Sequence, residues 1–181
     1  MRLQCGLKLT YQPFNREQPI TTILHPYYLK EYNQRWFLFG LNNEYKSLST
    51  YALDRIEDIN ISSVKFIPNT TIDFSHFFDD VIGVTRNTGK EPELIKLLVD
   101  KEQLPYLLSK PLHKSQQLIE TREDGGAIIS INVIPNFELQ QLLLSLSDRV
   151  VVLSPASLRE DILCRIKNNL GAPGFFRGTP L

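Results

Sequence analysis

Leu24-His25-Pro26-Tyr27-Tyr28-Leu29, Gln34-Arg35-Trp36-Phe37-Leu38-Phe39-Gly40 and Thr50-Tyr51-Ala52-Leu53-Asp54-Arg55-Ile56 follow one another in the first third of the chain. The middle segment holds the protein's only Trp. Its apolar run, Trp36 to Phe39, is too short for a helix of ordinary length, and its aromatic residues favour a strand. Asn42-Asn43 follows as turn chemistry, because Asn tolerates the left-handed region. A second strand is expected over about 46–53. A hairpin that is apolar on both faces predicts a small closed barrel.

Upstream, Leu7, Leu9 and Tyr11 alternate with Lys8, Thr10 and Gln12, which predicts a half-buried strand ended by Pro13. A further strand is expected over about 21–30. Pro26 within it cannot donate to a ladder, so it marks a bulge or an edge. Residues 54–58 form a tight corner, and the β-branched run 60–67 is a fifth strand ended by Pro68. Phe74, Phe77, Phe78 and Val81 are spaced by three and four, which predicts a short amphipathic helix over 72–82 capped by Asp73. The polar, Gly- and Pro-containing stretch 83–92 reads as a linker.

The second half has another rhythm. A strand over 93–100 and a helix over 101–109 precede a hairpin, 116–122 with 127–134, around Glu123-Asp124-Gly125-Gly126. Pro135-Asn136 starts a helix with the stripe Leu139, Leu142, Leu143 and Leu146, and 148–153 is a strand. The order is βαββαβ. Ser154-Pro155 opens a last helix that buries Leu158, Ile162 and Ile166 and ends at Gly171. In the tail, Phe175-Phe176 is an apolar arm for a neighbour or for the barrel, and on that ground a homodimer is expected.

The 181 residues suit one domain or two small ones, and 42% apolar with 22% charged residues is ordinary for a globular protein. Twenty Lys and Arg balance twenty Asp and Glu. Nucleic-acid binding by a broad basic face is therefore disfavoured. Cys5 and Cys164 form no CxxC and no disulfide framework, which fits a reduced, cytoplasmic setting. No apolar run reaches the ~20 residues of a membrane helix, and the N-terminus lacks the pattern of a signal peptide.

No catalytic or cofactor motif is present. Gly-x-Ser-x-Gly, a phosphate loop and His-Glu-x-x-His are all missing. His25, His76 and His113 are scattered without metal-ligand spacing, and Asp79-Asp80 points two ways on a helix. The expectation is a non-enzyme with no metal and no cofactor. The richest chemical set is His25, Tyr27, Arg35, Phe37, Lys46, Tyr51 and Arg55. Aromatic faces stack on bases and guanidinium groups bind phosphate. The structural alternative is that Trp36, Phe37 and Tyr51 form the core while Arg55 pairs with Asp54 or Glu57.

Pro26-Tyr27-Tyr28-Leu29, Arg35-Trp36-Phe37-Leu38 and Leu53-Asp54-Arg55-Ile56, in this order, resemble the WYL domain family over about residues 7–80. The resemblance implies a small Sm-like or SH3-like barrel that senses a ligand, often proposed to be a nucleotide or nucleic acid. It also implies an accompanying helix-turn-helix domain in a bacterial transcription regulator. That DNA-binding element is not visible before Leu7, so DNA is expected to be reached only through a domain outside this chain. Residues 93–170 resemble the ferredoxin-like extension that often follows. Phe37 stands where the family tripeptide has Tyr, and Ser49 and Ala52 replace basic positions, which weakens a phosphate-binding role carried over from the family.

The combined reading is an α+β chain. Residues 1–82 are a WYL-like barrel with a short helix, 83–92 a linker, and 93–181 a ferredoxin-like βαββαβ unit with a C-terminal helix. The expected function is ligand sensing for a transcription regulator, with a nucleotide or single-stranded nucleic acid on the barrel. The alternatives are a direct Sm-like RNA or single-stranded DNA binder and a structural oligomerisation module.

Overall fold

The computed structural model describes residues 5–87 and 89–170. The chain divides into two compact units, 1–77 and 78–181. The mixed α+β class is as expected, with two antiparallel sheets and few helices.

The first unit holds β1 (Leu7–Tyr11), β2 (Ile20–Tyr32), β3 (Arg35–Asn42), β4 (Leu48–Ala52) and β5 (Ile56–Ile61), with a 3-10 turn over Leu53–Arg55 at the expected corner. All neighbours are antiparallel, in the order β4-β3-β2-β1-β5. The ladder from β2 to β3 shifts register between Pro26 and Tyr28, so the bulge falls where the missing proline N–H requires one. Gly40 lies opposite Pro26. A Cβ there would come within 2.4 Å of the His25 carbonyl oxygen.

The expected closed barrel is not formed. Strands β4 and β5 are the two edges of the sheet, with no ladder between them. The sheet is nevertheless strongly curled. Three strand spacings separate β1 from β4, about 14 Å in a flat sheet, yet the Tyr11 and Tyr51 rings meet edge to face at 5.0 Å. The concave side buries Leu9, Tyr11, Leu24, Leu38 and Tyr51, with Leu7, Ile20 and Ile56 around them.

Two further expectations are corrected. The fifth strand starts and ends earlier than 60–67, and no helix forms over 72–82. Phe77 N–H donates to Asp73 O at 2.9 Å, but the segment continues as turns. The aromatic spacing read as a helical stripe instead presents Phe74 to Tyr28 and Phe39. Trp36, read as core, is 48% exposed.

The second unit holds β6 (Glu93–Val99), α1 (Leu104–Ser109), β7 (Gln117–Thr121), β8 (Ala127–Val133), α2 (Phe137–Ser145), β9 (Val150–Ser154) and α3 (Ala156–Leu170). The sheet order is β7-β8-β6-β9, antiparallel throughout. Ile95, Leu97, Val99, Ile129, Ile131, Val150 and Val152 face one side of it and pack with Leu107, Leu139, Leu143 and Leu158 from the three helices. Asn136 caps α2, its side chain accepting from Leu139 N–H.

The start of the expected linker is packed: Val84 is buried. Glu138 Oε1 accepts from Thr85 N–H at 3.1 Å and Thr85 O–H at 2.8 Å, and Asn136 Nδ2 donates to Ile82 O and Thr85 O. Gly83, at φ +87, has a conformation that L side chains resist, and an added Cβ would meet Glu138 Cγ at 2.6 Å. Gly171 and Phe175-Phe176 lie outside the described residues.

The close approach at Gly40 has a direct consequence. Gly40→Ala should lower the stability of the first unit by about 1–3 kcal/mol, the usual cost of overpacking. Urea unfolding followed by Trp36 fluorescence measures it; an unchanged midpoint would contradict the packing.

Candidate functional site

The aromatic motifs first build the unit's interior. Asn42 ends β3 fully buried. Its Nδ2 donates to Thr22 Oγ1 and to Tyr51 Oη, both at 3.0 Å. Its Oδ1 accepts from the backbone N–H of Glu44 at 2.8 Å and of Tyr45 at 3.0 Å. The side chain is thereby satisfied as a donor and as an acceptor, which burial demands. Lys46 adopts φ +52 in the turn that follows. The Asn-Asn signal therefore marks a turn, but its first residue also anchors Tyr51 beneath the sheet.

His25, Tyr27 and Tyr28 act together on the other side. Ile67 N–H donates to His25 Nδ1 at 3.2 Å, and Tyr27 O–H donates to Ile67 O at 3.0 Å. The backbone N–H and C=O of one residue, Ile67, are thus both held by side chains of β2. With Nδ1 accepting, the imidazole proton lies on Nε2, which faces Asn43 Oδ1 at 3.3 Å. His25 is fully buried. Phe66 sets its ring edgewise against both His25 and Tyr27. Tyr28 stacks on Phe74 at 4.9 Å with an interplanar angle of 3°. Residues 64–74 are therefore strapped to β2 by the very motif that suggested a ligand site.

Tyr27 and Lys46 also border a cavity of ≈ 310 Å³ lined by Leu41, Ser47, Ile67 and Asn69 among others. Burial pushes the Tyr27 phenol above its ordinary pKa. Lys46 Nζ donates to Asn43 Oδ1 at 3.2 Å.

The two arginines part company. Arg35 Nε lies 3.1 Å from Asp54 Oδ2 at an exposed site. The structural alternative, an Arg55 pair with Asp54 or Glu57, does not form; Asp54 pairs with Arg35 instead. Arg55 places its guanidinium carbon 5.3 Å from the Tyr11 ring centroid and 4.7 Å from that of Phe14. Its Nε is buried without a hydrogen-bond partner among the described residues. Phe14 is 77% exposed. Gln12 N–H donates to Arg55 O at 3.0 Å, which fixes the backbone beneath this group.

The seven expected residues thus fall into separate places. His25 and Tyr27 hold the strap, Tyr27 and Lys46 share a cavity, and Arg35 is paired. Phe37 sits half-buried opposite Ala52 in the ladder. Tyr51 is buried. Of the three cations among them, Arg35 is paired with Asp54, while Lys46 and Arg55 have no carboxylate partner among the described residues. Phe14 and Asn42 were missed. Pro13-Phe14 sits beyond the alternating strand, and nothing in its local pattern announces a ring over Arg55.

Among the described residues, no group of three or more His, Cys, Asp and Glu could hold a metal. Asp73, Ser75 and His76 lie within hydrogen-bond reach of one another on an exposed turn. Hydrogen bonds from Ser75, first, and His76 draw the Asp73 carboxyl down to about 2. No helix of the described residues is long and apolar enough to cross a membrane.

A curled five-stranded sheet carrying these motifs, followed by a four-stranded sheet with helices, makes a two-unit α+β protein. Residues 1–61 match the WYL domain and residues 91–170 the WCX domain; the chain thus carries a WYL domain followed by a WCX domain. No curated protein matches. Among solved structures, the proteasome accessory factor B/C (PafBC) of Arthrobacter aurescens is similar at 19% identity and a TM-score of 0.39, over 97% of this chain and 28% of that one. A protein described as CRISPR Cas-related is similar at 12% identity and a TM-score of 0.50, over 93% of this chain and 47% of that one. The chain thus spans less than half the length of either. The second likeness concerns the fold.

If His25 and Tyr27 are clamps, their loss should free the strap. His25→Ala leaves Ile67 N–H without its acceptor and opens a void, so it should destabilise the unit by about 2–4 kcal/mol. Hydrogen exchange at the Ile67 amide should accelerate in His25→Ala. Unchanged protection there would show that the strap is held by something else.

Proposed function

We propose that this chain is the ligand-sensing part of a transcription regulator, and that the ligand is a nucleotide or single-stranded nucleic acid bound at Arg55. The observation that carries this reading is the Arg55 guanidinium, half-buried against Tyr11 and the exposed Phe14, with no ion pair among the described residues. An unneutralised guanidinium beside an exposed ring suits a ligand that brings both an anion and a flat base. The WYL domain supports the regulatory part of the reading.

The first unit is read as an opened relative of the Sm- and SH3-like barrels, in which the curl stops short of closure. The second is read as ferredoxin-like. Its βαββαβ order and its sheet order support that. The module binds and does not catalyse. Ligand at Arg55 would act by binding one state of the regulator more tightly than another.

Fluorescence anisotropy with a short labelled single-stranded oligonucleotide tests the site. Arg55→Ala should weaken binding by about 1–3 kcal/mol, the worth of a charged hydrogen bond, and Phe14→Ala should weaken it by a similar amount through lost stacking. Arg35→Ala should have a smaller effect, because Asp54 already compensates that charge. Equal losses for the two arginines, or no binding by the wild type in low salt, would refute the assignment.

A further inference from the structure

One end of the second sheet gathers charge around an apolar floor. Ile95, Leu97 and Val99 of β6 face the helices, so strand alternation turns Leu98 to the opposite face. Val151 pairs with Leu98 across the ladder to β9 and lies on that same face, 40% exposed. Three connections meet beside them: 100–103 between β6 and α1, 122–126 between β7 and β8, and 146–149 between α2 and β9. Backbone hydrogen bonds fix their positions. Asp100 N–H donates to Arg149 O at 3.0 Å, and Arg122 N–H donates to Gly126 O at 2.8 Å. Gly125 and Gly126 let the hairpin turn close on the first connection. A Cβ at Gly126 would come within 2.7 Å of Val99 O, and one at Gly125 within 3.3 Å of Lys101 Cβ. Together these walls border a cavity of ≈ 320 Å³, near the lower end of the size range of small-molecule sites.

The rim carries three cations, Lys101, Arg122 and Arg149, and three carboxylates, Asp100, Asp124 and Asp148. Most are already engaged. Asp124 accepts from Gly126 N–H at 2.9 Å and from Arg122 Nε at 3.2 Å. Arg149 Nη1 lies 3.0 Å from Glu102 Oε2, and Asp100 Oδ1 accepts from Gln103 N–H at 2.6 Å. One charge of each sign is left over. Lys101 and Asp148 make no ion pair among the described residues. A rim of balanced charge favours no ion of a single sign, and it suits a molecule that carries both. The floor of Leu98 and Val151 suits an aliphatic chain.

We propose that this cavity binds a free aliphatic α-amino acid as its zwitterion. The carboxylate sits on Lys101 and the terminal nitrogens of Arg122, the ammonium on Asp148, and the side chain on Leu98 and Val151. Exposed charges attract only weakly in water, so affinity depends on both ends and the side chain together. The site lies wholly within the second unit and is independent of Arg55.

An NMR titration of the full chain with L-leucine tests the proposal. Amide signals of Lys101, Gly126 and Arg149 should move and saturate. Glycine, leucine amide and isocaproate should each bind roughly tenfold more weakly, because each lacks one of the three contacts. Asp148→Asn and Lys101→Met should each weaken L-leucine roughly tenfold. Both side chains are exposed, so the variants should keep the wild-type fold, which circular dichroism checks. Arg55→Ala should bind L-leucine as wild type does. No shift at these amides with L-leucine at about 10 mM overturns the proposal. So does equal binding of any of the three analogues, or unchanged binding in either variant of the rim. Loss of L-leucine binding in Arg55→Ala would place the site elsewhere and overturn it too.

Discussion

The first unit depends on the contact of Tyr11 with Tyr51. Two rings from strands three places apart in one sheet can touch only if the sheet curls until its concave face is nearly closed. Asn42 sets the far wall by binding the Tyr51 hydroxyl and Thr22 together. The curl brings the corner after β4 beside β1, and there the Arg55 side chain finds the Tyr11 ring. Core packing and the placement of the Arg55 guanidinium are therefore one construction. A buried, fully bonded Asn tolerates few replacements, because each of its partners would be left unsatisfied in an apolar setting.

The outer side of the same sheet follows a second rule. Backbone that runs over an apolar face must have its polar groups satisfied. Residues 62–77 contribute no strand to the ladder, so the backbone N–H and C=O of Ile67 are satisfied by the side chains of His25 and Tyr27. This explains why a histidine and a phenol sit in an otherwise apolar motif. Their polarity serves the chain itself.

Much of the fold was legible in the sequence, because its signals are local. Alternation at Leu7, Leu9 and Tyr11, the proline at 26 and the glycines after Asp124 each dictate a strand, a bulge or a turn. The βαββαβ order could be read from periods alone. Closure of the sheet could not, since it depends on whether β4 and β5 meet, and no residue of either strand states that. The stripe Phe74, Phe77, Phe78 and Val81 misled for a related reason. Spacings of three and four are also produced by a looping segment that drops aromatic rings onto a sheet. At the corner, the sequence offered Arg55 as the partner of Asp54, but Arg35 holds that carboxylate. Competition between two cations for one carboxylate is a tertiary event that spacing does not record.

The central claim is that the motif's histidine and tyrosine are internal clamps while Arg55 is the group that meets ligand. Side-chain nitrogen NMR during titration with a short single-stranded oligonucleotide separates these roles in one experiment. The account predicts that the Arg55 Nε–H resonance moves with saturation while His25 keeps its Nε2–H tautomer and its signal. Movement of the His25 and Ile67 signals with Arg55 unmoved would contradict it.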